Sequence, residues 1–163
     1  MQNTFKKTLL ATAAASLIAG AAHADIKVGV ILGFTGPIES LTPAMADSAE
    51  LAFDEASNSG LLLGGDSIVS VRGDSTCVDA AAATAAAERL VNSDGVVAIM
   101  GADCSGVTGA IAKNVGAPNG VAMISPSATS PGLSSIDDNG VFFRTAPSDA
   151  RQGVVLAGIV MAR

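Results

Sequence analysis

Two cysteines, one serine and one threonine are the side chains whose chemistry matters first. Cys77 and Cys104 are the only cysteines in the 163 residues. Ser105 follows the second of them in GADCSGVTGA, and Thr129 stands in SPSATSP. A thiol in such a place is a nucleophile, a metal ligand or half of a disulfide, and the two hydroxyls can each give or accept a hydrogen bond. The chain holds a single histidine, His23, inside an N-terminal stretch that reads as a removable leader. Without it no Ser-His or Cys-His pair forms and no histidine-containing zinc site can be built. The lysines beyond the leader are Lys27, opening a strand, and Lys113, within a helix. No nucleophile and base stand at a readable spacing, so the reading is no catalytic residue, no metal and no cofactor.

The leader is MQNTFKKTLLATAAASLIAGAAHA, residues 1–24. It carries Lys6 and Lys7, then an uncharged run from Thr8 to Ala22, then the small-x-small triplet Ala22-His23-Ala24, which is the layout of a secretory signal peptide cleaved after Ala24. The run is shorter than the roughly 20 residues a bilayer span needs. Without Lys6 and Lys7 the nine basic residues become seven against fifteen acidic ones, a net charge of −8. Such a surface attracts neither nucleic acid nor an anionic membrane. Mean hydropathy is positive at +0.49, but the excess comes from alanine-rich helices and the leader, so residues 25–163 are expected to be a soluble exported domain. In an oxidising compartment two cysteines with no other ligand favour a Cys77–Cys104 bridge over zinc or a reactive thiol. Two separate buried thiols are the alternative. A bridge closing that loop would stabilise the fold by roughly 3–4 kcal/mol in the chain-entropy account.

The elements that position these residues follow from periodicity. IKVGVIL, Ile26 to Leu32, is a short apolar run ended by GFTGP and reads as a buried strand. TPAMADSAELAFDEASNSG places Thr42 as N-cap and Pro43 at the first helical position. Met45, Ala49, Ala52, Phe53 and Ala56 fall on one face, with Asp47, Glu50 and Asp54 on the other, and the helix stops near Gly60. Ser67 to Arg72 is a second strand. Asp79 caps a helix whose inward residues are Ala83, Ala86, Ala87, Leu90 and Val91, stopped by Gly95. Then come a strand Val96 to Met100, a helix from about Ser105 to Val115, a strand Val121 to Ile124, a Ser/Pro-rich loop, a VFFR strand and a helix after Pro147 and Ser148. Repeated strand–helix alternation predicts an α/β fold, a doubly wound parallel sheet with helices on both faces.

In open sheets of this kind ligands bind beyond the carboxyl ends of the strands. Ser105, at the start of the helix after the third strand, would offer its hydroxyl and the adjoining N–H groups to a carboxylate. Thr129, after the next strand, would lie beside it, and GFTGP would complete the rim. On local chemistry alone Ser105 is equally an ordinary N-cap and Thr129 a turn hydroxyl. The first strand–helix turn lacks G-x-G-x-x-G, which argues against a dinucleotide.

Five blocks, in order, carry a resemblance: DIKVGVILGFTGPIESL, GDSTCVDAAAATAAAERLVN, GADCSGVTGAIA, MISPSATSPGL and VFFRTAPSDARQG. Together they resemble the N-terminal lobe of the branched-chain amino acid-binding proteins of ABC importers, the type I periplasmic solute receptors. The resemblance spans residues 25–163. It implies that Cys77 and Cys104 are bridged, that Ser105 binds the α-carboxylate of an amino acid, and that Thr129 contacts the amino-acid backbone with main-chain groups around Ser127 and Ala128 assisting. It also implies a periplasmic monomer that delivers its ligand to the permease subunits of an ABC transporter.

The sequence departs from that pattern in two places. Leu41 stands where leucine/isoleucine/valine-binding members can place an aromatic ring against the ligand side chain. The chain also ends at Arg163 inside a helix, so residues 25–163 read as a truncated first lobe without the second, which in the family supplies an acidic partner for the ligand's ammonium. Three readings stay open at this point: an importer's receptor, the ectodomain of a sensor with the same fold, and a small exported α/β enzyme.

Overall fold

The computed structural model describes residues 25–162; the expected signal peptide, residues 1–24, lies outside them. Five parallel strands form one sheet in the order β2-β1-β3-β4-β5. They are β1 (Ile26–Leu32), β2 (Ile68–Asp74), β3 (Ala98–Gly101), β4 (Ala122–Ser125) and β5 (Phe142–Arg144). Helix α1 (Thr42–Asn58) joins β1 to β2, α2 (Ala80–Arg89) joins β2 to β3, α3 (Ser105–Ile111) joins β3 to β4, and α4 (Asp149–Met161) follows β5. Both α2 and α3 run on into π-helical turns, Leu90–Asp94 and Ala112–Gly116.

Strand order dictates where the helices go. The step from β1 to β2 runs one way across the sheet and all later steps run the other way, so right-handed crossovers put α1 on one face and α2 with α3 on the opposite face. The alternation along β1 obeys this. Val30 and Leu32 pack with Ala46, Met45 and Phe53 of α1, whereas Ile31 joins Ala83, Ala87, Leu90, Ile99, Val107, Ile111 and Met123 in the larger core under α2 and α3. Leu90 fills that core because glycines stand below it. A Cβ at Gly73 would lie 3.0 Å, and one at Gly29 3.2 Å, from its Cδ1.

Helix starts show why local chemistry forms these elements. Asp79 caps α2 as the sequence predicts, its Oδ1 accepting from the N–H groups of Ala81 at 2.9 Å and Ala82 at 3.0 Å, and Gly95 ends the π turn at φ 74°. Thr42 is not the N-cap of α1. It lies one residue inside the helix, fully buried, and its hydroxyl donates to the Gly33 carbonyl at 3.1 Å, tying α1 to the end of β1 instead of to its own N–H groups. The inward face of α1 also turns slightly. Ala46 is buried and Ala52 is exposed, and Glu50, expected outside, is half-buried because Arg72 of β2 reaches over to it. Arg72 binds Asp47 as well and lies 5.5 Å from the Phe34 ring.

Helices cover both faces, but unevenly. The β4–β5 connection carries only a 3₁₀ turn, Pro131–Ser135, whose buried Leu133 packs toward Gly109 of α3. That connection also crosses on the α2–α3 face, so α1 alone covers the other face, and Ile124 and Phe143 stay 44% and 58% exposed there. Helix α4 stands away from the sheet, with every residue from Asp149 to Met161 exposed.

Candidate ligand-binding site

The strand order reverses between β1 and β3, so the loops leaving their carboxyl ends diverge and open a crevice. The loop after β1 starts at Gly33 and the loop after β3 at Ala102, with the β2 loop pressed against the first. Gly36 allows that contact: at φ 96°, a Cβ there would meet the Thr76 carbonyl oxygen at 2.6 Å. Gly101 ends β3 at φ 130° with the Ile31 carbonyl 2.0 Å from any Cβ it could carry. Both positions need glycine.

A buried carboxylate gathers these loops. Asp103, 4% exposed, accepts from the Gly33 N–H at 2.8 Å, the Ser75 hydroxyl at 3.3 Å and the Cys104 N–H at 2.9 Å. Its own carbonyl accepts from the Ser127 hydroxyl at 3.0 Å. Four loops, after β1, β2, β3 and β4, therefore converge on one residue. The Cys77–Cys104 disulfide, with Cα atoms 5.2 Å apart and a sequence separation of 27, adds a covalent link between the β2 and β3 loops. On the rim, Thr35 of GFTGP donates its hydroxyl to Asp74 at 2.6 Å. Burial pushes the Asp74 carboxyl up, but donors from Thr35, Thr76 and Phe34 outweigh burial and hold it below its ordinary value.

Ser105 opens α3 but does not cap it; Cys104 occupies the cap position. The Ser105 Oγ instead accepts from the Thr129 and Ser130 N–H groups, both at 3.1 Å. Two donors occupy its acceptor side, and among the described residues nothing takes its proton. Thr129 is turned the other way. Its hydroxyl donates to Asp149 Oδ2 at 2.9 Å, and its carbonyl accepts from the Asp149 N–H at 3.0 Å. Ala128 is buried, its N–H on the Ser125 hydroxyl at 3.0 Å and its carbonyl 3.3 Å from the Arg144 guanidinium, which also holds the Ser130 carbonyl at 2.7 Å. The structure thus sets Ser105 of α3 against the turn that holds Ser127, Ala128 and Thr129. Leu41, 62% exposed, lies in the loop after β1.

Ser105 lines a groove of about 690 Å³ together with Gly106, Lys113, Ser130 and Asp137. Thr129 lines a second, of about 360 Å³, with Asp149, Arg151 and Val155. The Ser105–Thr129 hydrogen bond stands between the two. An arrangement of placed hydroxyls and main-chain donors beside apolar wall, without a nucleophile–base pair, suits noncovalent capture of a small polar ligand.

Residues 25–163 match the periplasmic binding protein family. The chain belongs to that family. It is 35% identical over 156 residues to the Leu/Ile/Val-binding protein BraC3 of Rhizobium johnstonii, covering 95% of this chain and 41% of the relative. Among solved structures it resembles the branched-chain amino acid transporter substrate binding protein LivJ of Streptococcus pneumoniae in complex with isoleucine, with a TM-score of 0.68, 31% identity, and coverage of 77% of this chain and 35% of that one. A Rhodopseudomonas palustris solute binding protein of an ABC transporter in complex with benzoate is similar at TM-score 0.67 and 26% identity, covering 78% and 34%. This periplasmic binding protein chain spans about two fifths of the length of the curated relative.

Sequence reasoning pointed to Ser105 and Thr129, and did not include Asp103, Arg144 and Asp149, which hold the same loops in place. A lone Asp after a strand reads as a solvated turn, and Asp149 after the Ser148 cap reads as an acidic first-turn residue facing the helix dipole. The one available signal for Asp103 was its place between an apolar strand and a cysteine.

Proposed function

We propose that residues 25–163 are the first lobe of a two-lobed periplasmic receptor that holds a branched-chain amino acid and delivers it to the permease of an ABC importer. Ser105 would donate its hydroxyl to the ligand carboxylate, and Thr129 would meet the amino-acid backbone, with the Ser127–Ala128 main chain shaping the turn. The observation that carries this reading is the polarity of Ser105. Its oxygen is already filled by the Thr129 and Ser130 N–H groups, so what it has left to offer is a donor. The relatives support the class: isoleucine and benzoate, the ligands of the two solved structures, share a carboxylate. Membership of the family supports a periplasmic location and a binding rather than a catalytic role.

The test is calorimetry on the complete receptor with leucine, isoleucine and valine, comparing the wild type with Ser105→Ala. Loss of a hydrogen bond to a charged carboxylate costs roughly 1.5–3 kcal/mol, or about 10- to 150-fold in affinity. An unchanged dissociation constant would return Ser105 to a purely structural role in the turn.

A further inference from the structure

We propose that Asn139 is a site of spontaneous deamidation, converted in the folded protein to aspartate or isoaspartate with the Asp138 carboxylate taking up the proton. Two asparagines stand before glycine, Asn119 and Asn139. In such a pair the main-chain nitrogen of the glycine can attack the side-chain amide of the asparagine, since no Cβ blocks its approach. In an unfolded chain the two pairs are alike. The fold separates them.

Asn139 and Gly140 are the central residues of a type I′ turn. Their φ values are 54° and 76°, and the Val141 N–H closes the turn on the Asp138 carbonyl at 3.1 Å. Both residues are exposed, and nothing lies within 4 Å of a Cβ built on Gly140. The reacting N–H already rests on a base. Asp138 Oδ1 accepts from the Gly140 N–H at 2.9 Å, while Oδ2 accepts from the Phe142 N–H at 2.9 Å and holds the carboxylate in place. The Asn139 amide makes a long bond, 3.3 Å from Nδ2 to the Ala117 carbonyl, so little has to break before it turns toward Gly140.

Asn119 is held differently. It ends the short helix Ala117–Asn119, and its Nδ2 donates to the Val115 carbonyl at 2.8 Å, four residues back. That bond directs the amide along the helix and away from Gly120. The Val121 N–H, on the Gly116 carbonyl at 3.0 Å, ties down the helix end, and the Gly120 N–H goes to the Ala117 carbonyl at 3.4 Å instead of to a carboxylate.

The reaction needs only water. The Gly140 nitrogen bonds to Asn139 Cγ, the Cγ–Nδ2 bond breaks, and the proton from Gly140 passes through Asp138 to the leaving nitrogen, which departs as ammonia. Water then opens the cyclic imide at either carbonyl, giving aspartate or isoaspartate. Isoaspartate puts an extra methylene into the main chain just before β5, whose Arg144 holds the carbonyls of Ala128 and Ser130.

The complete receptor is incubated at neutral pH, beside the same chain unfolded in guanidinium chloride, and each Asn-Gly peptide is scored by mass for conversion of amide to acid. The expected result is a ratio of Asn139 to Asn119 rates at least about tenfold higher in the folded receptor than in the unfolded chain. Asp138→Ser, which keeps an acceptor for the Gly140 N–H but no carboxylate, should slow Asn139 and leave Asn119 unchanged. A folded ratio that lies within about twofold of the unfolded one, or below it, overturns the proposal. So does an Asn139 rate that Asp138→Ser leaves unchanged or raises.

Discussion

The Asp103 carboxylate sits where the loops after β1, β2 and β3 converge, and it satisfies the Gly33 N–H, the Ser75 hydroxyl and the Cys104 N–H in a place water does not reach. Removing it leaves those donors without an acceptor, and each buried orphan costs about 1–3 kcal/mol. Asp103→Ala should therefore lower the unfolding free energy by roughly 3 kcal/mol, read as a shifted midpoint in urea denaturation; a midpoint equal to wild type would show that the loops hold one another without it. Ser105 and Thr129 were candidates from the sequence because each lies within a few residues of a strand's carboxyl end, in loops that an open parallel sheet sends toward a ligand. Asp103 and Arg144 were not, since what identifies them is the distant backbone they touch. Arg144 holds the carbonyls of Ala128 and Ser130, and nothing in VFFR announces that partner.

At the scale of elements, the periodic segments were readable and their ends less so. The run Ile26–Leu32 and the capped helix after Asp79 appear as expected, because an apolar run or an Asp cap acts within a few residues. Thr42 moved off its expected cap position because a tertiary acceptor, the Gly33 carbonyl, competed for its hydroxyl. The bare α1 side of β4 and β5 was missed for a related reason: strand–helix alternation says that helices cover a sheet, not which strands each one reaches. Asp74, joining the β1 and β2 loops, makes acid stability a test of this region. Its folded pKa lies below the ordinary value, so its contribution is fully present above the unfolded pKa near 4 and is lost as pH falls through the lower folded value. Glu50, held down by its hydrogen bond to Arg72, adds in the same direction. Thermal denaturation from pH 6 downward should show stability falling below about pH 4, with a flatter profile in Asp74→Asn. Superimposable profiles for the two proteins would remove Asp74 from the account.

For the molecule as a whole, the described residues would form one wall of the two-lobed site proposed above. The exposed Ile124 and Phe143 on the sheet, and Val154, Val155 and Ile159 on α4, leave apolar surface of the kind that marks a contact region. The two grooves beside Ser105 and Thr129 are open, with no opposing surface among the described residues to enclose a ligand. A small ligand is held tightly when most of its surface is buried around a few placed polar groups, and domain closure is the usual way a two-lobed receptor achieves that. On that proposal, residues 25–163 alone would grip the carboxylate and leave the side chain in water. Isothermal titration of that fragment with leucine, isoleucine and valine, beside the complete receptor, tests the claim most directly. The expected result is affinity no better than millimolar for the fragment, about 4 kcal/mol of binding free energy, against much tighter binding by the complete receptor; micromolar binding by the fragment would contradict the two-walled site.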